Sequence, residues 1–321
     1  MPNICQVSLK GNIPIILQNL NNFKKFYEVN NFYIVIPNKD KKFFEKKIKI
    51  KNVKLILEND LISFSRFKKI SNKYLMKKKY YKEIQNRLSW YYQQILKISF
   101  LINFVEKKNE GMVIWDADTI LINRLKFFNK KFSNYYGTTS YFHKAYYVTN
   151  KAILDKLPKY FISSLAQFIS ISPLEMKFLI KKLRKKKDRI NNTGEWLTHI
   201  VMGSIAKSHH IYNGSLFSEY ELIGQSNLMF KFKKQILVSG IRESLNGKLS
   251  RFQIKILKIL GFKYIAYEHT HQNLNSQNML NRNQTWTKFI FILLKKLSNN
   301  SYRGLKHHIS FFLKLFKPTI R

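Results

Sequence analysis

The rest of the chain is organised around Gly111-Met-Val-Ile-Trp-Asp-Ala-Asp-Thr-Ile-Leu121. Met112 to Trp115 form an apolar run behind a glycine, which reads as a short buried strand, and Asp116 and Asp118 stand where that strand ends. Carboxylates two apart on an extended backbone point to the same side, so both can reach one hard divalent cation or the diphosphate it bridges. In open α/β sheets ligands sit at the carboxyl ends of strands, which is the position of these acids. The plain alternative is a solvated strand-to-loop turn that carries two acidic residues.

The composition makes that pair more informative. The 321 residues include 58 Lys and Arg against 18 Asp and Glu, a formal net charge of +40. Such a surface expects acidic partners: nucleic acid, an anionic membrane face, or phosphorylated small molecules. Cys5 is the only cysteine, which excludes a disulfide framework or zinc-ribbon spacing and points to a reducing compartment. The opening Met1-Pro2-Asn3 is not a basic segment followed by an apolar one, so no secretory signal is expected. Apolar runs such as Phe289 to Leu294 fall far short of the roughly 20 residues that span a bilayer. The expectation is a cytoplasmic protein, soluble or peripheral on the inner face of the cytoplasmic membrane.

Upstream of the acidic strand, Ile4 to Leu9 reads as a strand, Ile13 to Phe26 as an amphipathic helix and Phe32 to Pro37 as a second strand. A basic helix around Asp40 to Lys47 leads to a third strand, Val53 to Leu57, and this alternation predicts a mixed, mostly parallel sheet flanked by helices. Lys10-Gly11-Asn12 is too little for a dinucleotide fingerprint. The basic run Lys73 to Lys82 reads as a solvated loop. Arg87 to Lys97 reads as a helix with Trp90, Gln94 and Lys97 on one face and Gln93 beside them. These groups suit hydrogen bonds to a sugar and neutralisation of a diphosphate; packing of Trp90 and Leu96 under a polar rim is the alternative.

Downstream, Tyr141 to Thr149 reads as a strand and Lys151 to Leu157 as the start of a helix. Ser164 to Ser172 alternates small polar and apolar residues like a pocket-lining strand, Pro173 opens a helix with a cationic end, and Thr193 starts another that carries Glu195 and Trp196. Ser218 and Glu221 have capping-box spacing, which gives Glu221 a structural task and leaves Glu219 as the candidate base for an acceptor hydroxyl. His269 and His271 fall on one side of an extended Glu268-His-Thr-His271, so His271 joins Asp116 and Asp118 as a candidate metal ligand. The predicted organisation is a main domain over 1–271, an Asn/Gln-rich linker over 272–286, and a basic amphipathic segment over 287–321 that lies on an anionic membrane or packs back on the domain.

Trp90 to Lys97, Val113 to Thr119, Ser164 to Phe168, Glu195-Trp196 and Phe217 to Glu221, in that order, resemble an uncharacterised bacterial family of glycosyltransferase-like proteins with the GT-A fold, found among capsule and lipopolysaccharide biosynthesis enzymes. The resemblance covers most of residues 4 to 225 and departs at Asn12, where the family usually has an acid. It implies transfer of a sugar from a nucleotide-sugar, a UDP-sugar, to a surface-glycan or lipid-linked acceptor with Mn²⁺ or Mg²⁺. Asp118 would hold the metal, Asp116 would contact the ribose or a metal-bound water, and Trp90, Gln93, Gln94, Lys97 and Gln167 would bind the donor. Glu195 and Trp196 would meet the acceptor. Two rivals remain. Asp116-Ala-Asp118 also fits the nucleophile motif of haloacid-dehalogenase-type phosphatases, although the sequence offers no later paired-Asp strand end. A non-enzymatic nucleic-acid-binding protein explains the charge but not the crowding of scarce acids.

Overall fold

The computed structural model describes residues 2–129, 131–137, 143–157, 163–164, 167–186, 190–210, 214–230, 236–241, 245, 247–267 and 283–298. The chain divides into two compact units, one of Met1–Ala117 with Leu125–Val238 and one of Asp118–Arg124 with Ser239–Arg321. The division therefore falls within the Asp-Ala-Asp motif and at residue 238. Of the expected linker, 272–282 lies outside the described residues. Its end is tied down, since the Gln284 amide donates to the Lys248 carbonyl at 3.0 Å.

The first unit opens with β1 (Asn3–Val7), α1 (Ile13–Phe26), β2 (Phe32–Ile36), α2 (Lys41–Lys47) and β3 (Val53–Leu57). Three helices follow, α3 (Phe64–Leu75), α4 (Tyr81–Gln85) and α5 (Leu88–Lys108), before β4 (Met112–Trp115). After β5 (Thr119–Leu121), which belongs to the second unit, come the short β6 (Phe128–Asn129), β7 (Phe132–Ser133) and β8 (Tyr136–Gly137). Next are α6 (Lys144–Leu154), β9 (Phe168–Ile171), α7 (Pro173–Arg184), α8 (Thr193–Ser208), α9 (Glu219–Phe230) and β10 (Ile236–Leu237).

The main sheet runs β3-β2-β1-β4-β9, with β9 antiparallel to β4 and the other pairs parallel. β1 and β2 are buried throughout, which is why they read as unbroken apolar runs. The chain moves from β1 outward to β2 and β3, then returns through α5 to place β4 on the other side of β1. The β1/β4 boundary is thus the point where the winding direction reverses, and its carboxyl end is where such sheets bind ligands.

α5 extends eleven residues beyond the expected Lys97, until Asn109 closes it in the left-handed region at φ 53°. Asparagine tolerates that conformation. From Gln94 to Ile102 every residue is buried, so α5 is a central helix and not a surface one. The strand expected over Tyr141 to Thr149 is instead helix α6; its β-branched and aromatic residues suggested a strand, but Ala145, Tyr146, Thr149, Asn150, Ile153 and Leu154 are buried at helical spacing. The strand expected over Ser164 to Ser172 is reduced to Phe168–Ile171. Ser172 then caps α7 by accepting from the Glu175 amide, with Pro173 in the first turn.

The second unit holds β5, β11 (Gly240–Ile241), α10 (Arg251–Ile259), β12 (Tyr264–Ala266) and α11 (Trp286–Ser298). β12 lies between β11, parallel to it, and β5, antiparallel to it. Gly240 is required there, because a Cβ would fall 2.1 Å from the Tyr264 ring.

Candidate functional site

At the reversal point of the first unit a buried ammonium meets two carboxylates. Lys97, on α5, donates to Asp116 Oδ1 at 2.5 Å and to Glu219 Oε1 at 2.6 Å. Tyr220 donates to the same Asp116 oxygen at 2.5 Å, and the Lys97 ammonium lies 4.7 Å from the Tyr220 ring centre. Burial by itself would lower the Lys97 pKa, but Asp116 and Glu219 outweigh it and hold the group charged well above the ordinary lysine value. Burial raises the Glu219 pKa against the opposing pull of Lys97.

Each member is fixed by its element. Asp116 follows β4 directly; its amide donates to the Gln167 carbonyl at 3.0 Å, and its carbonyl accepts from Gln6 Nε2 at 3.3 Å. Gln6 sits on β1, so this bond spans the β1/β4 boundary. Gln6 Oε1 is buried with no hydrogen-bond partner among the described residues. Gln167 is buried with φ at 63°, a conformation a side chain usually avoids, and its carbonyl is thereby presented to Asp116. At the start of α9 the Glu219 amide donates to Gln94 Oε1 at 3.0 Å, so Gln94 and Lys97, one turn apart on α5, grip the same residue.

The sequence-predicted residues divide on this geometry. Gln94, Lys97, Asp116, Gln167 and Glu219 come together. Gln93 and Trp90 are half-buried further up α5, where Trp90 lies under the Arg87 guanidinium at 5.2 Å. Glu219 was expected to act on an acceptor hydroxyl. It is 3 % exposed and bound to Lys97, so its position is that of an internal counter-ion instead. Trp196 was expected to meet the acceptor; it is fully buried in the core and has no surface to offer. Glu195 pairs with Arg66 at 2.8 Å. The capping box at Ser218 is half present: the Glu221 amide meets Ser218 Oγ at 3.5 Å, but the Glu221 carboxylate turns to Ser163 Oγ at 2.5 Å, the Ser164 amide at 3.1 Å and Gln225 Nε2 at 3.3 Å.

Asp118 opens the second unit. Its Oδ1 accepts from Thr119 Oγ1 at 3.1 Å and its carbonyl from the Tyr267 amide at 2.8 Å. His269 and His271 lie outside the described residues. Among the described residues no three His, Cys, Asp or Glu side chains are grouped to hold a metal. The Asp116 Oδ1 is already committed to Lys97 and Tyr220. Asp118 is the other carboxylate of the motif, and a hard cation can be held with only one or two protein carboxylates.

Tyr220 and Gln6 were given no role from sequence. The signal at Gln6 was a long polar side chain inside an otherwise apolar strand; at Tyr220 it was adjacency to Glu219.

No family model matches the chain, and no curated relative does. Among solved structures the chain is similar to an active-site mutant of LgtC, with 7% identity, a TM-score of 0.34 and coverage of 91% of this chain and 95% of that one. It is also similar to mouse xyloside xylosyltransferase 1 in its apo form, with 8% identity, a TM-score of 0.40 and coverage of 85% and 98%.

Proposed function

We propose that the chain is a GT-A-like glycosyltransferase that moves a sugar from a nucleotide-sugar, a UDP-sugar, to a glycan or lipid-linked acceptor. The observation that carries this reading is the Lys97–Asp116–Glu219 cluster at the carboxyl end of the β1/β4 boundary. Of the three side chains Asp116 is the most open, at 21% against 9% for Lys97 and 4% for Glu219, so Asp116 is the group that reaches a ligand. Lys97 and Tyr220 hold its Oδ1 and so fix the direction of the other oxygen, which suits a ribose hydroxyl or a water on a bound cation. Gln6 Oε1 offers an unused acceptor beside it.

The cofactor in this reading is Mn²⁺ or Mg²⁺ with Asp118 as its protein carboxylate, and His271 as a further candidate ligand. Such an ion supplies neutralisation of the departing diphosphate. The residues of the chain orient and pre-charge the site: two acids against one ammonium give a locally anionic spot in a protein of net charge +40. The acceptor in this reading is held at the inner face of an anionic cytoplasmic membrane, and the biosynthetic setting is a bacterial surface glycan of the capsule or lipopolysaccharide type.

The test is a thermal-shift screen of UDP-, GDP- and CMP-sugars with Mn²⁺, followed by donor hydrolysis with and without EDTA. A ligand that binds only the folded chain raises its melting point, so a shift specific to one nucleotide identifies the donor. No shift with any nucleotide-sugar, together with EDTA-sensitive hydrolysis of a simple phosphate monoester, would replace this reading with a phosphatase.

A further inference from the structure

α11 is apolar on two sides, and among the described residues only one is covered. Phe289, Ile292 and Leu293 are buried within the second unit. Trp286, Ile290 and Leu294 follow one another at four-residue spacing along the outer side with Phe291 beside them, and all four are exposed, Phe291 at 66% and Leu294 at 57%. α10 continues this surface. Phe252 is 59% exposed, its ring lies 5.7 Å from that of Trp286, and Ile259 is exposed two turns along the same face. The two helices are also joined where Gln253 Nε2 donates to the Gln284 carbonyl at 3.3 Å.

Single exposed apolar side chains are ordinary, but a contiguous aromatic and aliphatic surface across two helices marks a contact face. A helix packed on its own domain normally turns polar residues outward. The charges on this surface specify the partner. Arg251, Lys255 and Lys295 are exposed among these apolar groups, and neither helix contains an acidic residue. No described helix is long and apolar enough to cross a membrane. A helix of this kind lies in the plane of the interface with its rings in the acyl boundary and its cations at the headgroups.

We infer that the α10–α11 face docks on an anionic lipid bilayer, with Phe252, Trp286, Phe291 and Leu294 entering the acyl boundary and Arg251, Lys255 and Lys295 meeting the headgroups. This rests on the membrane part of the proposed function and assigns it to a defined surface. The attachment is amphipathic, and charge alone does not produce it.

The test uses the full chain and vesicles of phosphatidylcholine with and without phosphatidylglycerol. No donor or acceptor enters the measurement, so its failure leaves glycosyl transfer standing, and a failure to bind nucleotide-sugars leaves this face standing. Trp115 and Trp196 are fully buried and Trp90 is half-buried, so bromine-labelled lipids should quench Trp286 selectively. The expected result is co-sedimentation with the anionic vesicles, weakened by high salt, and quenching that disappears in Trp286→Phe. The double variant Phe291→Ser with Leu294→Ser should lower partitioning by about a hundredfold, since two large apolar groups no longer leave water. If that variant fails to fold, Lys255→Glu with Lys295→Glu should lower binding to anionic vesicles alone. Binding by the serine variant equal to the parent's would overturn the proposal. So would quenching that survives Trp286→Phe, or light scattering that finds a parent dimer split by the serine variant, because a second copy would then cover the face.

Discussion

Lys97 Nζ lies 2.6 Å from Glu219 Oε1, deep between α5 and the start of α9, and the same nitrogen holds Asp116 at 2.5 Å. One ammonium thus serves two acids, and removing it leaves both carboxylates without a counter-charge. Lys97→Met should therefore destabilise the chain by about 3–5 kcal/mol, the range for orphaning a buried ion pair. Glu219→Gln retains the Lys97–Asp116 pair and an acceptor for the ammonium, and should cost only about 1 kcal/mol. Urea denaturation at pH 7 compares the two. Equal costs would show that Lys97 is not the shared counter-charge of the two acids.

Glu221 predicts a dependence on pH. Burial pushes its carboxyl up to about 7 from an ordinary 4.5, against the lowering effect of Ser163, the Ser164 amide and Gln225. The folded state therefore binds this proton more tightly than the unfolded state does. Its stabilising contribution is complete below about pH 4.5 and is lost as the pH rises through about 7. Glu221→Gln cannot ionise and escapes that loss. It also needs a flip of the Gln225 amide, which Asn150 can follow because its Oδ1 has no partner among the described residues. Between pH 5 and pH 8 the parent should lose on the order of 2–3 kcal/mol relative to the variant. A stability difference that stays constant over that range would show that Glu221 does not titrate there.

β1, β2 and β4 were legible because fully buried parallel strands leave apolar runs that need little context. β3 and α1 fall on the expected bounds, and the acidic motif falls at the end of β4. α6 was misread because Tyr, Val and Thr suggest a strand while their helical burial depends on what α8 and α9 place around them. Around the site, the shared face of Gln94 and Lys97 followed from helical periodicity. The burial of Glu219 and Trp196 did not, because exposure is set by neighbours distant in sequence. Glu219 drew attention as a scarce acid lacking an evident structural partner; its partner, Lys97, lies 122 residues away.

Asp116 and Asp118 should separate in a metal-binding measurement. Asp118→Asn removes the proposed cation ligand with little change of shape, so calorimetry with Mn²⁺ and UDP should register no metal-dependent heat while circular dichroism is unchanged. Asp116→Asn removes a carboxylate from Lys97 and should lower the melting temperature, leaving some Mn²⁺ binding. If both variants bind Mn²⁺ as the parent does, the cation is held elsewhere. Addition of EDTA should abolish donor turnover in the parent.

Gly224 predicts a steric effect next to the Glu221 network. A Cβ at this position would fall 2.0 Å from Ser164 Oγ and 2.7 Å from the Tyr135 hydroxyl. Gly224→Ala should therefore displace the 163–164 segment from α9 and cost about 1–3 kcal/mol despite alanine's higher helix propensity. A stabilised variant in thermal melting would show that this packing can relax freely.

Gln167 separates a backbone role from a side-chain role. Its carbonyl accepts the Asp116 amide at 3.0 Å and its side chain is buried, so its bond to Asp116 is made by the main chain. With φ at 63°, glycine can take its place without strain, and relief of that strain offsets the extra freedom glycine gains on unfolding. Gln167→Gly should stay within about 1 kcal/mol of the parent and keep its donor affinity. Gln167→Val places a β-branched residue in the left-handed region, so it should lose about 1–3 kcal/mol and, because Asp116 moves with the carbonyl, lose turnover as well. Melting curves and nucleotide-sugar titrations on the two variants decide the matter. A tenfold or greater fall in donor affinity for the glycine variant at unchanged stability would return the Gln167 side chain to the donor.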